Sequence, residues 1–231
     1  MKETPASRRH FLTTGLSAIP AVVTLGLPVT ATAATKSAEA DVSPAEDLMR
    51  EHGALNRILL IYDEARLRLE NGKSVDPQVI SQSAELIRAF IENYHEKLEE
   101  NHLFPRFEKA NKLTDLVAVL RKQHEAGREL TSQIISDSPS IKTRARELAS
   151  ALSAFNRMYR PHEAREDTIL FPAFRQLVTE HEYAELGEQF EEQEHRLFGK
   201  EGFEQIVAKI ATLEKQLGIY DLTQFTPQPK K

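Results

Sequence analysis

The 231-residue chain contains no cysteine. That single absence excludes disulfides, thiolate metal sites, a cysteine nucleophile and lipoprotein anchoring. Any metal the protein holds must therefore be bound by histidine and carboxylate side chains. Basic clusters are also missing: Lys and Arg number 30 against 35 Asp and Glu, and the formal net charge is −5. Such a balance argues against a nucleic-acid partner. Strand-like alternation is nowhere sustained. A membrane span is lacking too, because the one long apolar run, "LSAIPAVVTLGLPV", is interrupted by Pro20 and Pro28 and falls short of the roughly 20 residues needed to cross a bilayer. No stable membrane anchor is expected. What is present, 40% hydrophobic and 28% charged residues, suffices to bury a sizeable core.

That apolar run follows "SRRHFLTTG" and leads into the small-residue stretch "ATAA". With Ser7, Arg8, Arg9, Phe11 and Leu12 in front and Ala31 and Ala33 as an A-x-A cleavage site, residues 1–33 resemble a twin-arginine export signal. The resemblance implies a periplasmic or secreted protein that is exported already folded, often around a cofactor. Residues 34–43 are then a linker, 44–180 a helical bundle, 181–219 a C-terminal helix and 220–231 a flexible tail.

Helix signals punctuate the rest. Ser43, Pro44 and Glu46 have the order of an N-cap, a first-turn proline and a capping-box acid, and Gly72 is placed as a stop, which predicts a helix over about 44–70. Asp76 and Pro77 open a second helix, expected to reach the neighbourhood of Pro105. A third is predicted over about 113–136, and a fourth from near Pro139 towards Pro172, kinked or restarted at Pro161. A last helical stretch starts at about 183, is interrupted at Gly199 and Gly202, and beyond them carries Ile206, Ile210, Leu213 and Leu217 as one apolar stripe. The pattern predicts an all-α up-down four-helix bundle with an extra C-terminal helix, which would cover one side of the bundle or a partner subunit in a homo-oligomer.

Two segments of this chain repeat one another. "HEKLEENHLFPRF" at 95–107 is matched by "HEAREDTILFPAF" at 162–174, with His, Glu, Glu, Leu-Phe-Pro and Phe in step and Glu100 exchanged for Asp167. Residues four apart on a helix share a face about 6 Å apart along the axis. His95 and Glu99 therefore point one way, as do His162 and Glu166. Two such helices can offer two carboxylates to bridge a pair of metal ions. His52, on the apolar face with Leu48, Leu55 and Leu59, and His124, in register with Val117 and Leu120, are the inward histidines of the first and third helices. The candidate metal residues are His52, His95, Glu99, His124, His162 and Glu166.

On these residues the chain resembles the hemerythrin and HHE cation-binding family over about residues 45–175. The resemblance implies a non-haem di-iron centre: two Fe ions, oxo- or hydroxo-bridged and carboxylate-bridged, in a four-helix bundle. His52, His95, Glu99, His124 and His162 match the family's ligands. For the last carboxylate, Glu166 matches the bacterial pattern and repeats the geometry of Glu99, whereas Asp167 matches the animal oxygen carriers. One departure stands out: the animal proteins have a histidine one turn after the third-helix ligand, and this chain has Arg128, which offers no acceptor for a metal. Glu96, Glu163, Tyr159 and His102 are candidate substitutes, and Arg128 is alternatively a partner of a nearby carboxylate. Leu-Phe-Pro at 103–105 and 170–172 would turn each helix below the site and place Phe104 and Phe171 as plugs against water.

The implied function is binding of, or reaction with, dioxygen, peroxide or nitric oxide, with peroxidase- or catalase-like turnover as the enzymatic form. An oxygen or metal sensor, or an iron-sequestering module without turnover, is the alternative. A ferritin-like reading through the Glu-x-x-His spacings at Glu92, Glu99 and Glu192 leaves His52, His124 and His162 unexplained. His181 and His195 lie outside both copies and read as solvated or capping.

Overall fold

The structure, a computed structural model, describes residues 42–227. The stretch expected to be an export signal, the linker expected after it as far as residue 41, and the last four residues lie outside the described residues. Among those described, every regular element is helical: α1 (Pro44–Glu70), α2 (77–110), α3 (Thr114–Asp137), α4 (145–174), α5 (Glu180–Phe198) and α6 (Gly202–Leu217). No helix among them is long and apolar enough to cross a membrane.

The local chemistry explains most boundaries. The Ser43 hydroxyl accepts the Glu46 N–H and Pro44 opens α1, while Gly72, at φ +67°, follows its end in a conformation that costs glycine little. The Asp76 carboxylate caps α2 through the Gln78 N–H. Thr179 and Glu182 form a reciprocal capping box at the start of α5. The α1 face carrying Leu48, Leu55, Ile58, Leu59 and Tyr62 is wholly buried, and each such side chain contributes about 1.5–3 kcal/mol. On this stripe α1 packs against α4 and α2, and α3 packs against both of those helices in turn. The four long helices thus enclose one core.

Prolines behave differently from the sequence expectation. α2 does not stop near Pro105 but runs on to Ala110, and α4 continues through Pro161 without a restart. The reason at Pro105 is a widened turn: Glu99–Leu103 is π-helical, with the Phe104 N–H bonded to the Glu99 carbonyl five residues back. Glu166–Leu170 repeats this ahead of Pro172, with Phe171 bonded to Glu166. Proline lacks the donor for an ordinary bond four residues back, and a π-turn absorbs that loss; such turns gather at functional sites. A further π-helical stretch spans Ile87–His95.

Two other boundaries need correction. The fourth helix begins at Ala145 rather than near Pro139, because 138–140 form a separate 3₁₀ turn. The C-terminal helix expected over 181–219, with its interruption at Gly199 and Gly202, is two separate helices, broken where Gly199 sits at φ +83°. The stripe Ile206, Ile210, Leu213 and Leu217 is buried inside the chain itself, with α6 packed on α1 and α2. Arg57 of α1 clamps α6 through two hydrogen bonds to Glu214, at 2.9 and 2.5 Å.

Candidate metal centre

Each repeated segment delivers its histidine and glutamate to the same interior point. His52, His95, Glu99 and Glu166 offer ligand atoms all within 4.8 Å of one another, and so do Glu99, His124, His162 and Glu166. The two sets share both glutamates. One set takes the imidazole pair His52 and His95, with ring centroids 4.7 Å apart, and the other the pair His124 and His162, 5.1 Å apart. All six residues are at most 3% exposed.

Contacts within the cluster follow the repeat. Glu166 Oε2 lies 3.1 Å from His162 Nε2 and 3.4 Å from His52 Nε2. Glu99 Oε2 lies 3.4 Å from His124 Nε2 and 3.8 Å from His95 Nε2. Every imidazole thus turns Nε2 inward.

The other ring nitrogens are all held from behind. His52 Nδ1 donates to Asp167 Oδ1 at 2.7 Å, His95 to Glu51 Oε2 at 2.8 Å, His124 to Glu100 Oε1 at 3.1 Å and His162 to Gln123 Oε1 at 3.0 Å. Those oxygens can only accept, so they place the ring proton on Nδ1 and leave the Nε2 lone pair for a cation. Outer groups of this kind set the tautomer and strengthen the ligand. Phe171 stacks on His52 and Phe104 on His124, each with ring centroids 5.5 Å apart, closing the site with apolar faces.

The interior is costly without a cation. All four carboxylate oxygens of Glu99 and Glu166, and His124 Nε2, are buried with no hydrogen-bond partner, a condition worth about 1–3 kcal/mol or more per group. Burial pushes the Glu99 carboxyl well above the usual range, and the charges of Glu166 and Glu96 add to it. Burial would raise Glu166 too, yet His162 and His52 draw it well below. For His52 burial acts downward, but Asp167 and Glu166 outweigh it and push the ring up to about 10. His95 goes down, because burial there exceeds the pull of Glu51. Two fully buried glutamates facing four inward Nε2 atoms form a donor set that fits two cations.

The remaining candidates fall around the cluster rather than in it. Asp167, partly exposed, holds His52, and Glu166 occupies the central position. Arg128 Nη2 donates to Glu96 Oε2 at 2.6 Å and to Glu100 Oε1 at 2.5 Å, so it is a carboxylate partner. Tyr159 donates to Glu96 Oε1 at 2.7 Å. Its hydroxyl occupies the space above Gly127 that any Cβ would fill. Glu163 accepts from Asn56, and burial, partly offset by His52, pushes it up to about 8. His102 packs at a tilt against Phe190 and belongs to neither ligand set. Sequence reasoning missed Glu51 and Gln123, although a signal existed: each immediately precedes the inward histidine of its helix.

The fold and this centre define a helical, cation-binding protein. Residues 43–142 match the family model described as the hemerythrin HHE cation binding domain. The match spans α1 to α3 and ends before His162 and Glu166. Over 249 aligned positions the chain is 44% identical to "Uncharacterized protein Rv1995" of Mycobacterium tuberculosis (strain H37Rv), covering 98% of this chain and 94% of that protein. It is equally similar to "Uncharacterized protein MT2051" of M. tuberculosis (strain CDC 1551) and "Uncharacterized protein Mb2018" of Mycobacterium bovis. The chain thus carries a match to the hemerythrin HHE cation binding domain over residues 43–142, and it belongs to one family with these mycobacterial proteins along nearly its whole length. No solved structure matches it.

Proposed function

We propose that this chain is an exported non-haem di-iron protein whose centre binds or reacts with dioxygen, peroxide or nitric oxide. One observation carries the reading: two four-residue ligand sets share Glu99 and Glu166 as common carboxylates. In this reading His52 and His95 hold one ion, His124 and His162 the other, and the four long helices alternate in direction over residues 44–180. The mixed imidazole and carboxylate donors favour iron. When bound, an iron pair supplies electron transfer and open positions for a small diatomic ligand or peroxide.

The chain's own residues do the rest. The four Nδ1 partners orient the imidazoles, and Phe104 and Phe171 exclude water from their faces. Burial of the ligands to 3% exposure or less restricts reactants to molecules of two or a few atoms. Glu163 lies beside the His52 pair and, raised to about 8, retains a proton at neutral pH. Its Oε2 accepts from Asn56, which leaves Oε1 as the place for that proton. Export and a periplasmic location rest on the Arg8-Arg9 leader.

Elemental analysis of the purified protein tests this, with visible absorption recorded before and after oxygen is removed. About two irons per chain in the wild type, reduced in His95→Ala and kept in His195→Ala, is the expected result. Zinc, or equal iron in all three proteins, overturns it. Peroxide turnover by the iron-loaded protein then separates an enzyme from a sensor or store.

A further inference from the structure

The centre has an approximate two-fold relation that reaches beyond the ligands. Glu51 and Gln123, each one residue before the inward histidine of its helix, hold His95 and His162. Asp167 and Glu100, each one residue after a shared glutamate, hold His52 and His124. Asn56 and Arg128, each four residues after the inward histidine, reach Glu163 and Glu96. α1 corresponds to α3, and α2 to α4.

Within that frame, three exchanges all change charge in one direction. Behind His95 stands a carboxylate, and behind His162 a neutral amide. Four residues after the inward histidine, one side has Asn56 and the other the Arg128 guanidinium. Glu100 is held by two cations, Arg128 at 2.5 Å and Lys97 at 2.5 Å. In the second copy Ala164 takes the place of Lys97, and His52 is the partner seen for Asp167. A carboxylate already neutralised by cations lends less negative charge to the imidazole it holds, and outer groups of this kind alter metal affinity by about 10–100-fold.

We propose that the two positions are unequal by construction: a divalent cation at His52–His95 binds first and most tightly, and the one at His124–His162 is the exchangeable ion. This rests on the two-metal reading above. The differences that create it are Glu51 against Gln123, Asn56 against Arg128 and Ala164 against Lys97, none of which is a ligand.

Calorimetric titration of the metal-free protein with cobalt(II) is the test, on wild type, Glu51→Gln and Arg128→Asn. Both substitutions copy the residue from the corresponding position, so neither adds bulk. Two binding steps are expected in wild type. Glu51→Gln weakens the first step by about tenfold or more and leaves the second nearly unchanged, while Arg128→Asn tightens the second. Two steps that neither substitution moves, or Glu51→Gln acting on the second step alone, overturn the proposal while leaving two-metal binding intact. Failure of wild type to bind two ions overturns the reading beneath it as well.

Discussion

The segments 95–107 and 162–174 bring the same residues to the same centre and leave them in different electrostatic states. Each opens a π-turn with its shared glutamate, and each sends a phenylalanine onto an imidazole of another helix. Yet Glu99 is held above the usual carboxyl range and Glu166 below it. Glu166 lies closer to its two imidazoles, whereas Glu99 faces Glu166, Glu96 and Glu51 across a dry interior. Two buried carboxylates this close cannot both stay charged without a cation. The comparison teaches that a repeat specifies the kind of ligand, and the neighbours it meets specify the charge that ligand carries.

The largest break in that comparison comes from the shared carboxylates. Glu99→Ala and Glu166→Ala should each lose both ions, since either glutamate belongs to both ligand sets. His162→Ala should lose only one of the two. Metal content by elemental analysis decides this, and loss of a single ion from Glu99→Ala would show that the carboxylates are not shared.

Next in size are the two stacked rings. Phe104→Ala and Phe171→Ala each leave a cavity at a fully buried position, with an expected cost of about 3–5 kcal/mol. Thermal unfolding of the two variants should give similar losses if the copies are structurally equivalent. A difference of more than about 2 kcal/mol would assign the plug to one side.

Gly127→Ala tests a feature present on one side alone. A Cβ there collides with the Tyr159 hydroxyl, so the variant should lose about 1–3 kcal/mol as an overpacked site. Adding Tyr159→Phe should recover part of that loss. Unchanged stability in the single variant would mean that Tyr159 has room to move.

The smallest effect is on pH. Without metal, the His52 ring carries a proton up to about pH 10, and that proton must leave before Nε2 can coordinate. Glu99, also raised, releases another. The folded protein therefore binds metal more tightly as pH rises through the neutral range, by about tenfold per pH unit for each proton released. Cobalt affinities at three pH values provide the check, and Asp167→Asn should flatten the dependence by lowering His52. A slope unchanged by that substitution would remove His52 as its source.

Much of this protein was legible as sequence because its strongest signals are local. Helix caps at Ser43 and Asp76, the i, i+4 spacing of His95–Glu99 and His162–Glu166, and the repeat itself each depend on residues a turn or less apart. Periodicity also placed His52 and His124 on apolar faces. The continuation of α2 past Pro105 was not legible, because whether proline ends a helix or is absorbed by a π-turn depends on what packs around it. The break at Gly199 was visible as composition, but its consequence, two helices folded onto α1 and α2, required the partner surfaces.

The sequence by itself determined which residue types meet a cation and which helix each stands on, since that information is carried by spacing along one axis. Only the tertiary structure decided that Glu99 and Glu166 are common to both ligand sets, that Arg128 faces Glu96 and Glu100, and that Glu51 and Gln123 stand behind opposite imidazoles. Those facts depend on the rotation and register of four helices about one core. No residue encodes them alone; they arise from packing each apolar stripe against three others at once.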